Sequence, residues 1–410
     1  MKCKWLAIAF IGIFSTQAEA TVIYGDGALH TISGVVIDDI LLDHGSDLNV
    51  EGFAFIQPIA GAPAIVQDNT SPPVGPSTIN LSGNATVMGE IIYRRWFDDN
   101  STVTIGDNAL IVGQGEYISG SGRGAVSGMR RAEVSGNARL LGAHNAVDGG
   151  SAIDNRSSGA LFVSVSGGEI NGGNGGQTGG DGISGRFDIV NIDMTGGVIQ
   201  GGTGGNEGGH GIGVPDTTIG TISGGEIIGG NGGQAGGHAL LSNADYDLNI
   251  TGGEFQGGNG GVTGGDALRL NSLDFGTATI SGGSFDAGVG LFDDGWLLYL
   301  TGFNGIVDIT GGMFGYENIG NGFGIFNSHV NVYGWDLSIA DDLLTGFLMD
   351  GSWIETPVSL TLASLPSVLG TISLFNTPHP PSSSVPEPST LLLMAAGLAG
   401  LGIAKRKRIS

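Results

Sequence analysis

Four polar residues share one phase of the chain and could do chemistry together: Asp181, His210, His238 and Asp266. Each lies fourteen residues after the first glycine of a Ser/Thr-Gly-Gly triplet. If successive triplets mark successive turns of a coil, the four side chains form one line with the two imidazoles adjacent. Neutral imidazoles flanked by carboxylates are donors suited to Zn²⁺ or Ni²⁺. The same residues could equally form a hydrogen-bonded ladder at a turn. The sequence leaves both open and assigns no cofactor. Cysteine chemistry is excluded, because the single cysteine, Cys3, precedes the expected cleavage site of an export signal.

The triplets that set this phase are Ser166-Gly167-Gly168, Thr195-Gly196-Gly197, Ser223-Gly224-Gly225, Thr251-Gly252-Gly253, Ser281-Gly282-Gly283 and Thr310-Gly311-Gly312. Their first glycines are 29, 28, 28, 30 and 29 residues apart. Apolar residues keep step. Two before the first glycine stand Val165, Met194, Ile222, Ile250, Ile280 and Ile309; three after it stand Ile170, Ile199, Ile227, Phe255, Phe285 and Phe314. A further column, sixteen after it, holds Ile183, Ile212, Leu240 and Leu268. Between the last two columns lies a glycine loop, 172–180, with copies beginning at Gly201, Gly229 and Gly257. Glycine costs about 1 kcal/mol per helix position against alanine. The apolar residues also alternate with period two, so short strands joined by glycine turns are predicted. One repeat cannot bury its apolar side alone, but repeats stacked at about 4.8 Å build a continuous column. The predicted fold is all-β, a right-handed parallel β-helix.

Eighty of the 410 residues are glycine, yet 40% are hydrophobic and placed in register, which a disordered chain lacks. Between residues 21 and 384, nine arginines and no lysine face 37 acidic residues, a formal charge of −28. Such a field repels phosphates and anionic membranes, so no nucleic-acid partner is expected. Lys2 and Lys4, the apolar run 6–14 and the small-residue box ending at Ala18 and Ala20 describe a secretory signal peptide over 1–20. It implies passage through the secretion translocon and cleavage before Thr21. The apolar run is too short to span a membrane. Over 21–162 the rungs are looser, with worn markers at Ile32-Ser33-Gly34, Leu81-Ser82-Gly83, Thr104-Ile105-Gly106 and Val134-Ser135-Gly136. Regular repeats of 28–30 residues fill 163–315, and the coil is expected to run to residue 345. Strands over 346–375 should cap it, and 376–384 has the composition of a linker.

The tail, 385–410, carries three parts in order. Val385-Pro386-Glu387-Pro388-Ser389 precedes an apolar run over 390–404, and Lys405-Arg406-Lys407-Arg408 follows it. At 1.5 Å per residue roughly sixteen residues reach about 24 Å as a helix, a short transmembrane span whose basic end stays cytoplasmic. This arrangement resembles the PEP-CTERM sorting signal. The resemblance implies an exosortase as partner in a Gram-negative bacterium and cleavage near the motif. It also implies transient inner-membrane anchoring through 390–404 and delivery to the cell envelope, cell surface or extracellular matrix. Such proteins often occur in bacteria that make exopolysaccharide, which is therefore a further expected partner.

Two other resemblances break down in detail. The glycine loops are similar to calcium-binding glycine nonapeptides, but Gln177, Asn206, Gln234 and Val262 stand where the ligating Asp is needed. Gly209-His210-Gly211-Ile212 with Asp293-Asp294 is similar to fragments of the polygalacturonase motifs, in reversed order and without the Asn-Thr-Asp and Arg-Ile-Lys segments. Fold alone does not give function. The sequence reads as an exported, exosortase-processed β-helix with a structural, adhesive or polysaccharide-binding role and no catalytic residue assigned. The alternative is a polysaccharide hydrolase or lyase on a pectin-lyase-like β-helix.

Overall fold

The computed structural model describes residues 22–378, apart from 43–44, 59–61, 68–76, 94–100, 117–120, 156–158, 186–188, 316–320 and 363–364. The expected signal peptide with Ala18, Ala20 and Thr21 lies outside the described residues, as does the tail from Val385 to Arg408. Among the described residues no helix is long and apolar enough to cross a membrane.

The chain winds into a coil of stacked parallel strands, with three strand positions per turn. The first face begins with Val22–Tyr24, Ile40–Leu42, Ile65–Gln67 and Ile91–Tyr93, each paired in parallel with the next. It continues through Val126–Ser127, Ile153–Asn155, Ile183–Gly185, Ile212–Val214, Leu240–Ser242 and Leu268–Ser272. The second and third faces are the segments before and after the triplet. In Leu161–Asn171, Val190–Gln200, Gly276–Asp286 and Gly305–Phe314 they form one strand bent at the triplet. The columns are in register as predicted: Val165 pairs with Met194, then Ile222, Ile250, Ile280 and Ile309 follow in turn. Ile183, Ile212, Leu240 and Leu268 do the same on the first face, and all of these side chains are buried. Phe255, Phe285 and Phe314 stack at 4.9 Å, so the rung spacing is repeated in the ring spacing.

The triplet is a corner. Its second glycine takes a positive φ in every copy, from 81° at Gly168 to 113° at Gly312, where a side chain would be strained. Its first glycine lies against the neighbouring rung, and a Cβ on Gly252 or Gly282 would sit 2.4 Å from the carbonyl oxygen of Ser223 or Thr251. The worn markers occupy the same corner, since Leu81 pairs with Ile105 and Ile105 with Val134. Asp107, at φ 55°, takes a glycine's place there, and its Oδ2 accepts from the Gly83 amide at 2.9 Å.

The glycine loops form a second stacked layer beside the coil. Within a loop the Gly180 amide donates to Gly173 O at 2.8 Å; between loops Gly202 donates to Gly180 O at 2.7 Å. This zigzag continues through Gly209, Gly230, Gly237, Gly258, Gly265 and Gly288 to Gly295. At the far end His329–Ala340 extends the second face and runs on into an antiparallel meander with Leu343–Leu348 and Trp353–Ser359. Thr371–Asn376 then adds a parallel strand to His329–Ala340.

Candidate functional site

The coil brings the four polar residues into one line, and hydrogen bonds define what they do. Asp181 Oδ1 accepts from the His210 amide at 2.7 Å, and His210 Nδ1 from the His238 amide at 3.0 Å. His238 Nδ1 accepts from the Asp266 amide at 2.8 Å, and Asp266 Oδ1 from the Trp296 amide at 2.7 Å. Each side chain thus satisfies a backbone donor one rung further on. The two imidazoles stack at 5.0 Å with their planes 5° apart. An Nδ1 that accepts an amide proton carries none of its own, so both rings are neutral with the proton on Nε2.

The electrostatics agree. Burial, with His210 and Arg269 alongside, holds His238 well below the usual imidazole range. Asp266 Oδ2, 3.3 Å from His238 Nδ1, is therefore a neighbour and not an ion-pair partner. Burial also raises Asp181 and pushes Asp266 up to about 6. A metal bound at Nε2 would require the proton to move to Nδ1, and the next rung's amide would lose its acceptor. Among the described residues no group of three His, Cys, Asp or Glu side chains is placed to hold a metal. The geometry is that of the hydrogen-bonded ladder.

Asp181, His210 and His238 also line a polar groove of about 520 Å³, in the angle between the first face and the glycine layer. Asp148, Asp154 and Glu207 line it from neighbouring rungs. Arg269 ends the ladder, with Nη1 3.4 Å from Asp266 Oδ2 and its guanidinium 4.5 Å from the centre of the Tyr299 ring. Sequence reasoning passed over Asp148, Asp154 and Glu207. Asp148 and Glu207 share a column with Thr178, but residue type changes at each rung, so no repeat of type marks it. It also missed a second ladder inside the glycine layer. There His144 Nδ1 accepts from the Asn174 amide and Asn174 Oδ1 from the Thr203 amide, both at 2.8 Å. Asn231 and Asn259 repeat this with Asn259 and Val289, again at 2.8 Å.

The polygalacturonase-like fragments do not meet. Asp293 and Asp294 stand in the rung of Trp296, three rungs or about 14 Å from His210. Asp293 Oδ1 accepts from Asn321 Nδ2 at 2.7 Å, and Asp294 Oδ1 from the Gly290 amide at 2.8 Å.

Fold and site define an acidic parallel β-solenoid whose recurring polar residues bond the backbone from rung to rung. Residues 384–408 match the family model of the PEP-CTERM protein-sorting motif. The motif implies an exosortase-sorted, exported protein destined for the cell envelope or surface. No curated protein and no solved structure matches the chain.

Proposed function

We propose that the protein is a structural component of the cell surface or extracellular matrix that holds neutral polysaccharide along its groove. The observation that supports this is the groove itself, in which carboxylates and imidazole Nε2–H groups follow one another from rung to rung. Sugar hydroxyls both donate and accept, so a polymer lying along the coil meets acceptors from Asp148 and Glu207 and a donor from His210. Anionic polymers are disfavoured by the formal charge of −28 over residues 21–384.

Affinity electrophoresis of the exported chain through gels containing a neutral glucan or an anionic uronan tests the reading. Retardation by the glucan alone, lost in Asp148→Ala with Glu207→Ala, is expected. Equal mobility in both gels would sink it. One observation favours an enzyme instead: Asp181 lines the groove with Asp154, and burial raises its carboxyl, as a general acid would require. Release of reducing ends from a polysaccharide, lost in Asp181→Asn, would replace the binding role with hydrolysis.

A further inference from the structure

The two ends of the coil are finished differently. Among the described residues, Val22–Tyr24, Leu29–Ile32 and Val35–Val36 each pair on one side only, with Ile40–Leu42, Asp47–Val50 and Phe55–Ile56. Val22, Tyr24 and Val36 are only partly buried against the core, whereas Ile40, Leu42, Leu48 and Val50 in the next rung are fully enclosed. A Cβ on Gly34 or Gly52 would meet nothing within 4 Å, although a Cβ on any triplet glycine further along would touch the neighbouring rung. The opposite end instead carries the meander Leu343–Leu348 and Trp353–Ser359.

The outward residues of the first rung are also apolar and exposed. Ile23, Leu29 and Val35 are 64%, 60% and 67% exposed. Along the same columns Leu29 gives way to Asp47, and Val35 to Phe55 and then Thr86. Open strand edges beside exposed apolar side chains form a template for pairing, and a terminal solenoid repeat ordinarily has a polar outer surface. The leader does not supply the cover in the processed chain. Its cleavage box ends at Ala20, one residue before Thr21 and two before the first strand.

We propose that processed chains pair head to head through this rung as a closed two-fold dimer. A second copy presents the same three open edges. A two-fold axis sets Leu29–Ile32 antiparallel to the same strand of the partner, an isologous contact that closes at two. Head-to-tail growth would have to seat the rung on an end occupied by the meander. Each copy carries a strongly negative field, so screening by salt favours the dimer.

Sedimentation velocity on the exported, processed chain, over a range of protein concentration at low and high salt, tests this. A monomer–dimer equilibrium that tightens with salt is expected, and Leu29→Lys with Val35→Lys should abolish it without changing the melting temperature. If that variant melts early, hydrogen exchange of wild-type amides 29–32 decides, with greater protection at high concentration expected. A monomer throughout, a dimer indifferent to the lysines, an open series of oligomers, or an exported chain retaining residues 1–20 would each overturn the proposal. None of these outcomes depends on polysaccharide binding in the groove.

Discussion

Each imidazole of the His210–His238 stack works as an acceptor for a neighbouring amide, and protonation would remove that function while placing two cations 5.0 Å apart. The pH dependence follows from the direction of the shift. Folded His238 titrates well below 6.5, so between that value and its folded pKa the unfolded chain binds more protons. Its contribution is therefore present above about pH 6.5 and is lost as pH falls toward the folded pKa. Asp266 acts in the opposite sense. Raised from 3.8 to about 6, it favours the folded state below pH 3.8 and loses that contribution as pH rises through 6, a difference on the order of 3 kcal/mol. Asp266→Asn keeps an Oδ1 for the Trp296 amide and removes the charge. Thermal melts at pH 8 should place Asp266→Asn at or above wild type and Asp266→Ala below it. Equal losses in both would show that the carboxylate itself is required.

At the scale of elements, the glycine layer and the apolar columns give separate predictions. A Cβ on Gly205 would lie 2.0 Å from Gly176 O, and one on Gly233 1.9 Å from Gly205 O. The obstructing atoms are backbone of the preceding loop and leave nothing soft to yield, so Gly205→Ala and Gly233→Ala should each lower the melting temperature clearly, while Gly34→Ala should not. Matching melts for all three would mean that the layer is not packed as described. In the core, Ile250 sits fully buried between Ile222 and Ile280. Ile250→Asp puts an unpaired carboxylate into that column and should cost several kcal/mol, roughly 3 or more. Because each rung touches only its neighbours, the loss should be greatest in rungs 222–280, where hydrogen exchange can locate it.

For the whole molecule, a sorting motif follows one long acidic coil, and a signal peptide is expected before it. Intact-mass measurement of the exported chain should give a species that begins at Thr21 and lacks Lys405 to Arg408. A mass that includes the basic tail would show that the sorting motif at 384–408 is not cut in this protein. The same preparation serves the salt series, because processing defines the N-terminal rung proposed to pair.

Much of the coil is legible in the sequence, because a solenoid writes its spatial period along the chain. Spacings of 28–30 residues place Val165, Met194 and Ile222 in one column before any coordinate is known, and the corner triplet is marked by the conformational freedom its second glycine supplies. The phase of Asp181, His210, His238 and Asp266 is legible in the same way. What these residues do is not, because metal site and ladder require the same spacing. The tertiary structure supplies the ladder's hydrogen bonds by bringing each Nδ1 to the amide of the next rung. It likewise turns the glycine loops from turns into a layer, whose crowding by neighbouring carbonyls explains the absence of side chains. The groove, with Asp148, Asp154 and Glu207, and the ion pair of half-buried Arg123 with buried Glu90, 3.1 Å long and 33 residues apart in sequence, leave no repeating signal. Repetition reveals columns whose residue type recurs. Sites assembled from different residue types on neighbouring rungs exist only once the rungs are stacked.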